Sequence, residues 1–145
     1  LTDDRARLDA AVNALAHVVE EGTRLDLALT AGAAALADVD ASRLRAMVFL
    51  TDGLPNRVPT PPAGGSMEDT VLAAAAVARA QSITIHTVGY GREDAEDIAD
   101  RILPSLLIDI AGSPAGYHQT DNAAGLAEVF RRIAAELGCV GGGWP

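Results

Sequence analysis

Two oxygen-bearing residues stand where an α/β chain could do chemistry. Asp52 follows directly on the apolar run Ala46-Met47-Val48-Phe49-Leu50, with Thr51 and Gly53 on either side. In an open α/β sheet, ligands gather at the carboxyl ends of the strands, so a carboxylate in that position projects from the rim. Thr23 comes just after Gly22, at the start of a helix that feeds the same strand, which predicts that both oxygens emerge on one edge of the sheet. A hydroxyl and a carboxylate are hard donors suited to Mg²⁺, an ion that holds near-octahedral geometry and keeps several waters. Plainer roles stay open for both: an ordinary helix N-cap for Thr23, and a turn-forming Asp-Gly for Asp52.

The other chemistry-bearing residues do not assemble along the chain. His17, His86 and His118 are dispersed without metal-ligand spacing and read as a helix-surface residue, an ordinary strand residue and an edge-strand residue. Ser105 and Ser113 fall in helix or turn positions and Cys139 in the tail, so no nucleophile with an adjacent base is formed. A hydrolase using Asp52 as nucleophile needs a paired carboxylate, which the sequence does not supply. Gly89-Tyr90-Gly91 lacks the third glycine of a dinucleotide fingerprint, and there is no phosphate-cradling P-loop. The acidic stretch 93–100 lacks the glycine-centred loop of an EF-hand and reads as a solvated helix face.

The elements that must position Thr23 and Asp52 follow from periodicity. Thr2, Asp3 and Asp4 start an amphipathic helix with Leu8, Val12, Leu15 and Val19 on one face, ending at Gly22. A second helix places Leu25, Leu29, Ala33 and Leu36 on one face. The run 46–50 predicts a central parallel strand covered on both faces, the most buried of the sheet. Residues 54–65 carry four of the seven prolines, so they form an irregular loop rimming the site. Ser66 with Asp69 predicts a capping box ahead of an Ala-rich helix to Gln81. A β-branched strand, 83–88, follows and stops at Gly89-Tyr90-Gly91. Residues 91–112 read as an acidic helix interrupted near Pro104 and ending at Gly112. Tyr117-His118-Gln119 is a short edge strand, and Asp121 or Asn122 caps a last helix with Leu126, Val129, Phe130, Ile133 and Leu137 in a stripe, stopped by Gly138.

Composition excludes several classes. With 49% hydrophobic residues in 145 the chain can bury a core. Its 20 acidic against 11 basic residues give a net charge of −9, which repels nucleic acid and anionic membrane alike. No apolar run approaches the ~20 residues needed to span a bilayer. The single cysteine, Cys139, rules out an internal disulfide and leaves open a bridge to another segment.

The succession LTDDRARLDAAVNALAHVVEEGTRLDLALTAGAAAL, AMVFLTDGLPN, ITIHTVGYG and LLIDIAGSPAGYHQTDNAAGLAEVFRRIAAEL resembles the later part of von Willebrand factor type A (vWA) domains, from end to end. The resemblance implies a Rossmann-like, doubly wound α/β sheet, truncated at its N-terminus, with three main strands and flanking helices. It covers 1–138 as a partial vWA domain and leaves 139–145 as a Gly-rich tail or linker. That family holds a divalent ion with an Asp-x-Ser-x-Ser motif, a Thr from a later loop and an Asp ending the fourth strand. Thr23 resembles that Thr and Asp52 that Asp, while Asp-x-Ser-x-Ser occurs nowhere in this sequence. The chain opens at Leu1 rather than Met, and the expectation is that the missing donors are encoded upstream. In this segment Mg²⁺ binding is then expected to be weak or absent. The strand that is central in the parent sheet is expected to have an open flank, which limits solubility.

By the same resemblance the function is capture of a protein ligand whose acidic side chain completes the ion's coordination. Binding, not bond cleavage, is implied, in an extracellular or cell-surface protein. The other function carried by the resemblance is a subunit of an intracellular, ATP-driven assembly of metal-chelatase-like or chaperone-associated type, which would be cytoplasmic.

Overall fold

A computed structural model describes residues 3–15, 22–40, 42–55, 65–94, 96 and 101–138. Thr2, His17, Val19, most of the proline-rich loop, residues 95 and 97–100 of the acidic stretch, Cys139 and the tail lie outside the described residues. The elements are α1 (Arg5–Leu15), α2 (Leu25–Ala37), β1 (Arg45–Thr51), α3 (Met67–Ala80), β2 (Ile83–Tyr90), α4 (Pro104–Ala111), β3 (Tyr117–Thr120) and α5 (Ala123–Glu136). The strands form one parallel sheet in the order β1-β2-β3. Register runs from Arg45 opposite Ile83 to Thr51 opposite Gly89, and from Thr87 opposite Tyr117 to Tyr90 opposite Thr120.

Strand alternation splits β2 between two helical layers. Ile83 and Ile85 join Leu25, Leu29 and Ala33 of α2, Val71, Ala75 and Ala78 of α3, and Leu106, Leu107 and Ile110 of α4 in the main core. Thr87, on the same face, is fully buried and donates its hydroxyl proton to the Leu107 carbonyl at 2.9 Å. On the opposite face Val88 packs with Val129 and Ile133 of α5. The small side chains expected from the Ala-rich composition are what allow α2 and α3 to pack closely over the sheet.

Helix ends follow local chemistry. Ser66 and Asp69 form the reciprocal capping box, and the Asn122 side chain accepts from the Gly125 amide at 2.8 Å. Asp4 caps α1 through the amides of Ala6 and Arg7 at 2.9 and 3.2 Å. Gly112, with φ of 82°, closes α4 in the left-handed conformation that glycine adopts without strain.

Four expectations need correction. The 46–50 strand is not the most buried one. In the described sheet β1 is an edge, with the open flank expected for it, and α5 packs chiefly on β2 and β3, so Val48 and Leu50 are exposed while Phe49 alone of the run is buried. β2, paired on both sides, takes the central place. It also runs on through Gly89 to Tyr90 instead of stopping at the glycine pair. The acidic helix does not form at 91–94: the Gly91 amide bonds to the Thr120 carbonyl at 2.8 Å, Arg92 bridges to Arg101, and the Arg92 guanidinium grips Asp94 at 2.9 and 3.0 Å. Pro104 begins α4 at its first position, where its missing N–H is no loss. Finally, Leu8 and Val12 of the apolar face read for the first helix, and Phe130 of the stripe read for the last, are exposed.

Gly89 is required by close approach. A Cβ there would lie 2.7 Å from Ile102 Cγ2 and 3.2 Å from Leu107 Cδ1. Gly89→Ala is expected to destabilise the chain by about 1–3 kcal/mol through overpacking, read as a lower urea midpoint at unchanged slope; an unaltered midpoint would show that α4 shifts freely.

Candidate functional site

The carboxyl end of β1 is shaped by a side chain other than Asp52. Thr51 is buried, and its hydroxyl donates to the Gly53 carbonyl at 2.9 Å while accepting from the Gly53 amide at 3.3 Å. The bend is therefore held by Thr51, and the turn-forming role open to Asp52 is already filled. Asp52 is exposed, and among the described residues no hydrogen bond or ion pair to its carboxylate is found. It borders an open cleft of about 360 Å³ lined also by Leu50, Thr51, Tyr90 and Leu126.

The start of α2 forms the neighbouring wall. Leu25 lines one narrow gap together with Thr51, Gly53 and Leu106, so the first turn of α2 and the end of β1 belong to the same edge of the sheet. Thr23 is half-buried, two residues ahead of Leu25. It is not the N-cap, since that position is held by Arg24 without a side-chain cap. The Arg24 guanidinium instead donates twice to Asp26, from Nε and Nη2, at 2.8 Å each. Asp26 is buried, and the hydrogen bonds from Arg24 hold its carboxyl below the usual carboxylate value, against the opposing effect of burial. An ion pair of bidentate geometry thus fixes the turn that carries Thr23. Of the two residues singled out by the sequence, the Asp52 carboxylate borders the cleft, and Thr23 stands in the segment leading into α2, two residues ahead of Leu25.

A second group lies on the α5 side of the sheet and escapes sequence spacing altogether. His86 of β2, His118 of β3 and Glu136 of α5 bring one donor atom each to within 4.8 Å of one another. The imidazole rings stack at 5.7 Å with 23° between planes; His86 Nδ1 lies 3.5 Å from His118 Nε2 and 3.9 Å from Glu136 Oε2. Both histidines are buried. Burial pushes the His118 imidazole below its ordinary value, and the charges of His86 and Arg132 push the same way, against the pull of Glu136. A sequence separation of 32 positions hides a near-contact that parallel register creates. Alternation was the available signal: Ile83 and Ile85 facing one layer turn His86 toward the other.

No family model and no curated protein matches the chain. Solved structures do. The pilus adhesin SpaC of Lactobacillus rhamnosus GG superposes with a TM-score of 0.74 and 19% identity, over 92% of this chain and 21% of the adhesin. Proximal thread matrix protein 1 of the mussel byssus, solved with a zinc-occupied MIDAS motif, superposes with a TM-score of 0.61 and 16% identity, over 83% of this chain and 27% of that protein. The fold is vWA-like. At these identities the likeness is one of architecture, and the chain spans only 21% and 27% of the length of the proteins it matches.

Because the Asp26 carboxyl is depressed in the folded state, its contribution to stability is present above the unfolded carboxylate value of about 3.9 and is lost as pH falls through the folded value. Asp26→Asn is expected to lower stability at neutral pH by on the order of 1 kcal/mol and to flatten the acid limb of the stability profile. Parallel acid limbs in variant and wild type would remove the ion pair from that account.

Proposed function

We propose that the chain is part of a protein-binding module that captures its partner through a divalent cation at the rim, with Thr23 and Asp52 as two of the ion's oxygen donors. The observation that carries the reading is the Asp52 carboxylate: exposed at a strand end, relieved of turn duty by Thr51, and open to a cleft. Support comes from the vWA-like fold and from the matched mussel protein, whose MIDAS motif holds zinc. The sequence contains no Asp-x-Ser-x-Ser, so the two residues are a share of a shell and not the whole of it. A bound ion would supply a Lewis-acidic point for an acidic side chain of the partner.

This chain's own residues do the rest. Thr51 holds the bend so that Asp52 projects outward, the Arg24–Asp26 pair fixes the turn bearing Thr23, and Leu50, Tyr90 and Leu126 offer apolar surface around the contact. Binding without bond cleavage is the proposed task. An extracellular or surface setting suits a relative in form of a pilus adhesin and a byssus protein. No helix among the described residues is long and apolar enough to cross a membrane.

In the intact protein, Asp52→Ala is expected to weaken Mn²⁺ binding, followed by paramagnetic resonance, by at least about tenfold, with Thr23→Val acting in the same direction. The thermal midpoint of Asp52→Ala should stay unchanged, because an exposed group is removed. Equal Mn²⁺ affinity in Asp52→Ala and wild type would take the rim out of the function.

A further inference from the structure

We propose that His86, His118 and Glu136 bind one borderline transition-metal ion of the Zn²⁺ class, at a site separate from the rim. The 3.5 Å between His86 Nδ1 and His118 Nε2 is long for a hydrogen bond, which favours 2.7–3.2 Å. It matches the edge of a tetrahedron, about 3.3–3.4 Å, set by metal–nitrogen bonds of ~2.0–2.1 Å. At 3.9 Å from His86, the Glu136 oxygen needs a small side-chain rotation to take a third corner. The imidazoles are already side by side: both are buried, on paired strands, with their rings nearly parallel.

Glu136 ends α5 with its side chain 44% exposed. It gives the ion a way in and leaves the fourth corner to water or an outside donor. Two imidazole nitrogens and one carboxylate oxygen select Zn²⁺, Co²⁺ or Ni²⁺ over Mg²⁺, the reverse of the oxygen-only rim. The carboxylate also supplies the negative charge that offsets the ion beside Arg132, whose charge acts on His118. Asp52 stands four residues beyond Val48, the register partner of His86, hence about 13 Å further along the strand direction at ~3.3 Å per residue. One ion cannot serve both places.

The test is titration of the chelator-stripped chain with Co²⁺ and Zn²⁺. Co²⁺ should give the intense visible bands of a tetrahedral site, Zn²⁺ should abolish them by displacement, and excess Mg²⁺ should leave them in place. Glu136→Gln and His118→Gln are each expected to weaken Zn²⁺ binding at this site, read as displacement of the Co²⁺ bands, by at least about tenfold, whereas in Asp52→Asn those bands should persist. Zn²⁺ affinity undiminished in Glu136→Gln, or Co²⁺ bands lost in Asp52→Asn, overturns the proposal. Should His118→Gln fail to fold, imidazole ¹⁵N shifts of the wild-type chain decide: Zn²⁺ must move both His86 Nδ1 and His118 Nε2, and a resonance of either that stays in place defeats the site.

Discussion

Pairing on both sides fixes β2 as the axis of the molecule, and every other placement follows from it. Once β1 and β3 are hydrogen-bonded along its flanks, its side chains have only two directions left. Ile83, Ile85 and Thr87 enter the α2, α3 and α4 layer, and His86 and Val88 enter the α5 layer. The Thr87 hydroxyl shows how strict the arrangement is. A buried donor without a partner costs about 1–3 kcal/mol, and here the partner is the Leu107 carbonyl of α4, so helix and strand must keep one relative position. The same position brings Ile102 and Leu107 against Gly89, where no side chain fits.

Two kinds of donor chemistry are kept apart by this frame. The Asp52 carboxylate sits just past the end of β1, where it remains hydrated and costs little to expose. Imidazoles sit within the α5 layer, where both are buried and burial favours the neutral form of His118. Thr51 and the Arg24–Asp26 pair perform structural work beside the oxygen groups, the one by closing the bend and the other by anchoring the first turn of α2. The bend after β1 is held by Thr51 rather than by the Asp52 carboxylate, and the N-cap position of α2 is Arg24 rather than Thr23.

Local chemistry was legible in the sequence wherever a short-range rule decides the outcome. Ser66 with Asp69, Asn122 ahead of α5, and Gly112 after α4 are all settled within four residues. The strand-helix-strand order likewise announces parallel pairing. What depends on distant neighbours was not legible. An apolar run such as 46–50 reads as doubly covered, because hydropathy cannot tell a central strand from an edge whose outer face is bare. Pro104 reads as an interruption, since the signal for a break and for a first turn is the same residue. The histidines read as unrelated because their approach is set by register between β2 and β3 and by the return of α5.

Helix α1 stands outside the frame. Its Leu8 and Val12 touch water rather than core, and a helix without a packed apolar face draws its stability from local terms alone. The Asp4 cap contributes about 1 kcal/mol, and the exposed Arg5–Asp9 pair at 3.9 Å adds little. The described turns of α1 therefore owe little to the core that orders the sheet. What holds α1 wound is thus its own backbone and its cap, a support that reaches no further than one turn.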